Sequence, residues 1–577
     1  MILMAMGQHN NALPYGILAR SSEERNLTRV LSTWSLALAA LVIASTIFGA
    51  VHYFSSIPFE DQWDAYIGFF HSLADGHFQA WWNPQMEHRI VFSRLLFWLD
   101  GKVFGGLNIF SIVATFVLMV GLCACIAYES RRQFLAKSEW ITAVAILSGL
   151  MFLWVQNDNF TSGFQNQFVA VYLFALLGYA QFSKIGDHRN LRIAIALLCG
   201  ILSALSMANG LAALFVMSAQ AILMRRPLRE IVAVTLVGAA VAAIYMHGQT
   251  IPVLPVDPAM AHVHLPILRF FFVFLGSPVV FILKSNLVAG IFGFLTFCAF
   301  SSLVAYLYFT RKISAYHAFL IAGYGFVVAS GLGASHGRWM LGFDAARTSR
   351  YTTPALLSYV LLLMLAADAL PRRRTLVLAL SVLFLTLFVP IQIRALGHSD
   401  RLPYFARADM YSWKLAVLGQ KIGLDHPELD AGIFPADSHE RYVNQADYAA
   451  AANIGPYGSG WLHDAGIVNF DPGKIDQTLC NGSLDGTQTD NVGRVSTGWV
   501  IASKYRNGDV LVLLVDTAGQ TLGYGVSGMS RPDVRKAVAG APRDSGWTGF
   551  ARSGDGPLNA YAYIGGKFCP LGMAKIS

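Results

Sequence analysis

Charge is what this sequence has least of. Only 13% of its 577 residues are Asp, Glu, Lys or Arg, against about 25% in an ordinary soluble domain. Hydrophobic residues make up 55% and the mean hydropathy is +0.49, which excludes a soluble globular protein of this size. Cysteine is also scarce: six residues cannot staple a small secreted scaffold of this length. No P-loop, GxSxG, HExxH or paired CxxC motif occurs, so ATP-driven transport and zinc hydrolysis lack support. There is no repeat of 20 to 50 residues and no low-complexity tract. The net charge of +8 does not speak for nucleic acid, because the Lys and Arg fall in short clusters between apolar stretches, where they act as topology signals.

What is present is a series of apolar stretches, each long enough to cross a bilayer core about 30 Å thick. The first, Leu31 to His52, is longer than a signal-peptide core and has no small-x-small exit, so it reads as an uncleaved anchor. Ten more follow near 107–128, 139–155, 166–183, 192–207, 211–224, 230–247, 287–309, 315–334, 353–370 and 375–393. From an inside N-terminus, this threading puts every short basic cluster on one side: Arg25 and Arg29; Arg131, Arg132 and Lys137; Lys184, Arg189 and Arg192. The same side receives Arg225, Arg226 and Arg229, then Arg311 and Lys312, then Arg372, Arg373 and Arg374. The stretch Leu265 to Val280 is apolar but broken by Gly276 and Pro278, which suits a re-entrant or interfacial helix.

The expectation is therefore an α-helical polytopic membrane protein with about eleven transmembrane helices, N-terminus inside and C-terminus outside. It divides into a cytoplasmic segment 1–30, a transmembrane region 31–395 with a first external loop 53–106, a helical connector 396–450 and an extracytoplasmic domain 451–577. The tail has short β-branched or aromatic runs separated by Gly, Asn and Asp, such as "DVLVLLVD" and "LNAYAYIGG", which read as a β-rich, sandwich-like domain. Four cysteines lie in apolar helices as packing residues. Cys480 and Cys569 lie in the tail and pair as a disulfide if it faces an oxidising compartment.

Three loops carry candidate chemistry. In the first, Glu60, Asp61 and Asp64 sit just beyond the first span, and Asp61 and Asp64 share one face if the segment is helical. A carboxylate at the membrane-water boundary can act as a general base for a hydroxyl or position a divalent metal ion. Trp63, Glu87, His88 and Arg89 place an aromatic ring and charges beside it, a combination suited to a sugar ring; an interfacial aromatic belt with solvated acids is the plainer reading. The second loop holds His336, Arg338, Arg347 and Arg350 on the outer side, against the positive-inside tendency. With Thr352 or Thr353 capping the next helix, its amino end and these cations form an anion site fit for phosphate. The plain readings are ordinary anionic headgroups and an Asp344–Arg347 pair. The third loop, "QNDNFTSGFQNQF", offers amides, Gln165 among them, that can read sugar hydroxyls or simply end helices.

With "FEDQWD" in a long first external loop, the late "HGRWMLGFDAARTSRY" cluster and an external C-terminal domain, the chain resembles the polytopic GT-C class of glycosyltransferases. The resemblance implies an inverting transfer of sugar from a polyprenyl-phosphate donor to a glycan, lipid or protein acceptor in the bilayer, with no nucleic acid involved. It implies an acidic first-loop residue, Asp61 or Asp64, as catalytic base, and His336, Arg338, Arg347 and Arg350 as donor-phosphate ligands. Glu60, Trp63, Glu87, His88, Arg89 and Gln165 are the expected substrate-binding residues. The acids run Glu60-Asp61 then Asp64 rather than as a plain "DE" or "DD" pair, so the base stays open among the three, as does metal dependence. The WWDYG signature of the oligosaccharyltransferase branch is absent. The expected setting is a bacterial inner membrane with the active site facing the periplasm. Competing readings are a transporter or flippase of lipid-linked oligosaccharide, a polymerase or ligase of such lipids, and a scaffold that displays the tail.

Overall fold

The computed structural model describes residues 22–134, 136–184, 186, 188–249, 255–398, 407–429, 433, 438–502 and 509–574. Residues 1–21 of the expected cytoplasmic segment, and 399–406, 430–432 and 434–437 of the expected connector, lie outside them.

The chain opens with a long helix, α1 (Ser22–His52), and its first loop then folds into a π-helical turn (Trp63–Gly68), α2 (Phe69–Ala74) and α3 (Val91–Val103). There follow α4 (Ile109–Ser130), α5 (Lys137–Met151), α6 (Asn157–Thr161), α7 (Gln167–Ser183), α8 (Arg189–Ala204), α9 (Ala212–Leu223) and α10 (Leu228–Met246). Next come α11 (Pro266–Leu283), α12 (Asn286–Phe309), α13 (Ala315–Arg338), α14 (Thr352–Ala369) and α15 (Arg374–His398). The connector contributes α16 (Arg407–Ile422) and α17 (His439–Ala451).

Nine helical stretches among the described residues are long and apolar enough to cross a membrane, which makes this a multi-pass membrane protein. Helices α7 and α8, at 17 and 16 residues, and the apolar stretch Ala208–Leu223 are shorter. Sequence windows count them as spans because apolar residues continue into the turns at their ends.

Helix α11 is an addition to the expected set. It runs antiparallel against α12 at backbone contact: a Cβ on Gly276 would meet the Ala289 carbonyl oxygen at 1.8 Å, and one on Gly293 the Phe272 carbonyl oxygen at 2.0 Å. Only glycine allows that approach. Both ends of the segment α10 to α12 are tied to the same group of loops. The Tyr245 and His247 carbonyls accept from Arg89 at 2.7 Å, and Asn286 donates to Asp344 at 2.9 Å. At the opposite ends of the helices the basic clusters find acids: Lys184 meets Glu129, Arg189 and Arg226 meet Glu230, and buried Arg374 reaches Glu139.

The first loop and the connector share one hydrophobic core, in which Ile57, Trp63, Ile67 and Phe70 pack with Trp413, Val417, Tyr442 and Ala446. Helix α3 has an inverted pattern. Ser93, Arg94 and Asp100 are buried while Leu95, Trp98 and Val103 are exposed, the reverse of a helix that meets water.

The tail is one antiparallel sheet rather than the two packed sheets of a sandwich. Its strands are β1 (Cys480–Thr489), β2 (Arg494–Ala502), β3 (Leu511–Val515), β4 (Thr521–Met529), β5 (Gly546–Ala551), β6 (Leu558–Ile564) and β7 (Lys567–Ala574). They lie in the order β1-β2-β5-β4-β3-β6-β7. The sheet curls until β1 and β7 lie side by side, and the Cys480–Cys569 disulfide joins them, giving a barrel-like form. Alternation in β2 and β6, where every second residue is buried, sets one face toward the barrel interior; Val512, Leu514 and Trp547 fill it. The opposite face, through Leu513, Tyr524 and Phe550, packs on α16.

The disulfide closes a loop of 89 residues, so Cys480→Ser is expected to lower the stability of the tail by about 2 to 5 kcal/mol. A thermal melt of the full chain, with maleimide labelling of Cys569, measures it. Labelling of wild-type Cys569 without reductant would show that the bond does not form.

Candidate functional site

The first loop, the three 3-10 turns between α13 and α14, and the turns around α6 come together at one end of the bundle. Their meeting point is a group of charges. Arg338, on the last turn of α13, forms an ion pair with Glu87 and donates to the Tyr351 hydroxyl. Glu87 also faces His88, with Oε1 and Nε2 at 3.6 Å. Burial alone would raise the Glu87 carboxyl, but His88 and Arg338 hold it below its ordinary value. The His88 imidazole is pushed down to about 4, first by burial and then by Arg338 and Arg350, so it is neutral at pH 7. Its Nδ1 accepts from the Ala208 amide at 3.4 Å, which leaves the ring proton on Nε2.

Asp61 lies among these groups. Burial pushes its carboxyl above the ordinary aspartate value; Arg350 pulls it down, Glu87 pushes it up, and a hydrogen bond from Gln85 and the charge of Arg338 pull it down. A carboxylate made more basic by burial, with two guanidinium groups beside it, suits the work of a general base. Asp64 follows a different course. The chain widens into the π-helix at Trp63, and Asp64 pairs with Arg441 of α17 at 3.4 Å. Its carboxyl is also raised, by burial and by Asp61 against the pull of Arg441. The two acids are neighbours but serve different partners.

Several expected site residues are part of the framework instead. Trp63 is fully buried with its ring edge-on to Tyr442 at 5.0 Å; it packs the first loop on the connector and offers no face to a sugar. Arg89 is buried and donates to the carbonyls of Trp82, Tyr245 and His247 at 2.5, 2.7 and 2.7 Å; its guanidinium is a clamp between the loop and α10. Glu60 has φ +48° and its amide donates to the Ile433 carbonyl at 2.5 Å, so it shapes the turn into Asp61. His336 is exposed, two residues and about 200° of helix away from the inward Arg338.

Arg347 bonds Asp344 at 3.1 Å and Asn286 at 3.3 Å. Arg350 lies within electrostatic reach of both Asp61 and Asp158. The threonines do not cap α14, because both are already helical. Thr352 donates to the Ser349 carbonyl at 2.7 Å, and Thr353 donates to Gln156 and accepts from Asn159 at 2.8 Å. With Ser349 donating to Asn157 at 2.7 Å, these third-loop amides hold Arg350 in place. Gln165 differs. It lies buried in the 3-10 turn Gly163–Asn166 that leads into α7, three residues before Phe168, whose ring meets the Tyr351 ring at 6.3 Å.

Sequence reasoning passed over Gln85, Tyr351, Tyr172, Asn209 and Ser330, and read Asp158 only as one polar residue of a loop. The available signal was a polar side chain at a break between short apolar helices, as with Asn209 in "SMANGL". Among the described residues no three His, Cys, Asp or Glu side chains converge as metal ligands. The guanidinium groups beside Asp61 and Glu87 also repel a cation, so this group fits a divalent ion poorly.

Comparison of the chain with protein-family models, curated proteins and solved structures gives no match.

Proposed function

We propose that this chain is a membrane glycosyltransferase of the GT-C class, moving a sugar from a polyprenyl-phosphate donor to a glycan, lipid or protein acceptor. The proposed setting is the outer face of a bacterial inner membrane, with the N-terminus inside, eleven crossings, and the barrel-like tail in the periplasm. Two features support that topology. The basic clusters gather at the helix ends opposite the charge group, as the positive-inside tendency requires. Helix α11 leaves and rejoins the same loops, so it adds no net crossing.

The observation that carries the reading is the Asp61 carboxyl, raised by burial and set between Arg350 and the Glu87–Arg338 pair. In the proposed reaction Asp61 takes the proton of the acceptor hydroxyl as that oxygen attacks the anomeric carbon from the face opposite the leaving group. The new glycosidic bond forms, the bond from the anomeric carbon to the phosphate oxygen breaks, and the lipid phosphate departs with the electron pair. The configuration inverts and the proton ends on Asp61. Because the leaving group is a stable anion, no general acid is needed. Arg350 and Arg338 offset the negative charge that grows on the phosphate.

Arg347 suits first capture of the phosphate. Its partner Asp344 is 72% exposed, and such a surface pair is weak, so the guanidinium can turn to a better anion. Arg347→Ala is expected to raise the donor KM about tenfold with kcat little changed. An unchanged KM would remove Arg347 from the donor site.

The test of the whole reading is transfer of radiolabelled sugar from a panel of polyprenyl-phosphate sugars by the purified full-length protein in detergent. Turnover of at least one donor is expected. No turnover of any, with the labelled donor still bound, would favour a transporter of lipid-linked sugar.

A further inference from the structure

Beside the charge group lies a second, neutral polar cluster that the reaction above does not use. Asn209 Nδ2 donates to the Ser330 hydroxyl at 2.9 Å and approaches the Tyr172 hydroxyl at 3.4 Å. Ser330 and Tyr172 are themselves hydrogen-bonded. Gln165 lies in the 3-10 turn Gly163–Asn166 that leads into α7, about two turns before Tyr172. The cluster abuts the charge group on two sides: Tyr351 accepts from Arg338 and meets Phe168, while Ala208, next to Asn209, donates to His88.

Two atoms here are unusual. Asn209 Oδ1 and Gln165 Oε1 are buried with no hydrogen-bond partner among the described residues, and Gln165 is only 8% exposed. Buried amides left half-satisfied are costly unless something else meets them. In the adjoining charge group Glu87 Oε2 is likewise buried without a partner. A ring bearing several hydroxyl groups supplies donors of that kind.

We propose that Gln165, Tyr172, Asn209 and Ser330 form the subsite for the hydroxyls of the transferred sugar and select a neutral sugar. This rests on the glycosyltransferase reading and adds the class of sugar. All four side chains are uncharged. A uronic acid would bring a carboxylate, and an amino sugar an ammonium, among four side chains none of which carries a charge to pair with it. The phosphate, by contrast, stays with the arginines.

The experiment compares wild type, Asn209→Ala and Gln165→Ala in full-length form on polyprenyl-phosphate donors. The donors carry a neutral sugar, its monodeoxy analogues, its uronic acid and its amino counterpart. Wild type is expected to use the neutral sugar at least about tenfold better than either charged one. Each variant should lose about tenfold in kcat/KM on the full sugar but little on the one analogue lacking the hydroxyl that its amide binds. Gel filtration confirms that each variant is folded, and either amide suffices if the other variant is not. Equal losses on every analogue, or equal use of charged and neutral donors by wild type, would overturn the subsite while leaving the transfer reaction standing. Turnover of no donor by wild type would remove the transfer reaction and this subsite with it.

Discussion

Asp61→Asn is expected to lower sugar transfer by about 10²- to 10⁴-fold, the usual range for loss of a general base, with donor binding kept and the protein folded. Asparagine matches the shape of aspartate, can keep the hydrogen bond with Gln85, and loses the negative charge and with it the ability to take a proton. Asp64→Asn is the control. Its ion pair with Arg441 joins side chains that are 27% and 54% exposed, and breaking such a pair costs at most about 1 kcal/mol. Transfer by Asp64→Asn should therefore stay within a few-fold of wild type. The opposite ranking, with Asp64→Asn inactive and Asp61→Asn active, would move the base to Asp64. Equal activity of both variants would leave the transfer without a carboxylate base.

The second large effect concerns Arg350. Arg350→Ala should reduce kcat by roughly a hundredfold, the scale seen when one group that stabilises developing negative charge is removed. It should also change the pH profile. Asp61 must be ionised to act, so activity falls as pH drops through its raised pKa. Arg350 is the strongest influence holding that pKa down. Without the guanidinium the pKa climbs further, and the acid limb of kcat/KM moves to higher pH. A variant that lost activity equally at all pH values would show Arg350 acting on the donor alone, with no influence on Asp61.

The membrane architecture was legible in the sequence because lipid imposes a strict code. Long apolar runs form helices that can cross a bilayer. Gly276 and Pro278 also marked α11 as irregular, and its backbone contact with α12 gives the reason for Gly276. The tail was legible as strands but not as a closed sheet, since strand order and the meeting of β1 with β7 depend on contacts far apart in the chain. Asp61, Arg338 and Arg350, which the structure brings together, could be picked out from their loops. The inward or outward turn of each side chain could not. Trp63 and Arg89 look like ligand-binding residues in "FEDQWD" and "MEHRI", yet both are consumed in holding the loop to α17 and α10. The π-helix starting at Trp63 breaks the phase on which Asp61 and Asp64 would have faced one way. The neutral cluster of Tyr172, Asn209 and Ser330 joins three separate helical segments, and no local pattern announces it.

Joining β1 to β7 also settles how the tail can meet other molecules. A sheet normally ends in two strands whose amides and carbonyls are free to pair with an extended chain. Here the last two strands lie against each other under a covalent bond, and the residues just before β1 bridge onto β7, with the Asp476 amide donating to the Phe568 carbonyl at 2.9 Å. With these two edges set against each other, an incoming peptide has less room to zipper along either strand. A polypeptide or glycan that approaches the tail is then met first by its side chains and loops. For the same reason neighbouring copies crowded in one membrane lack a ready edge by which to stack.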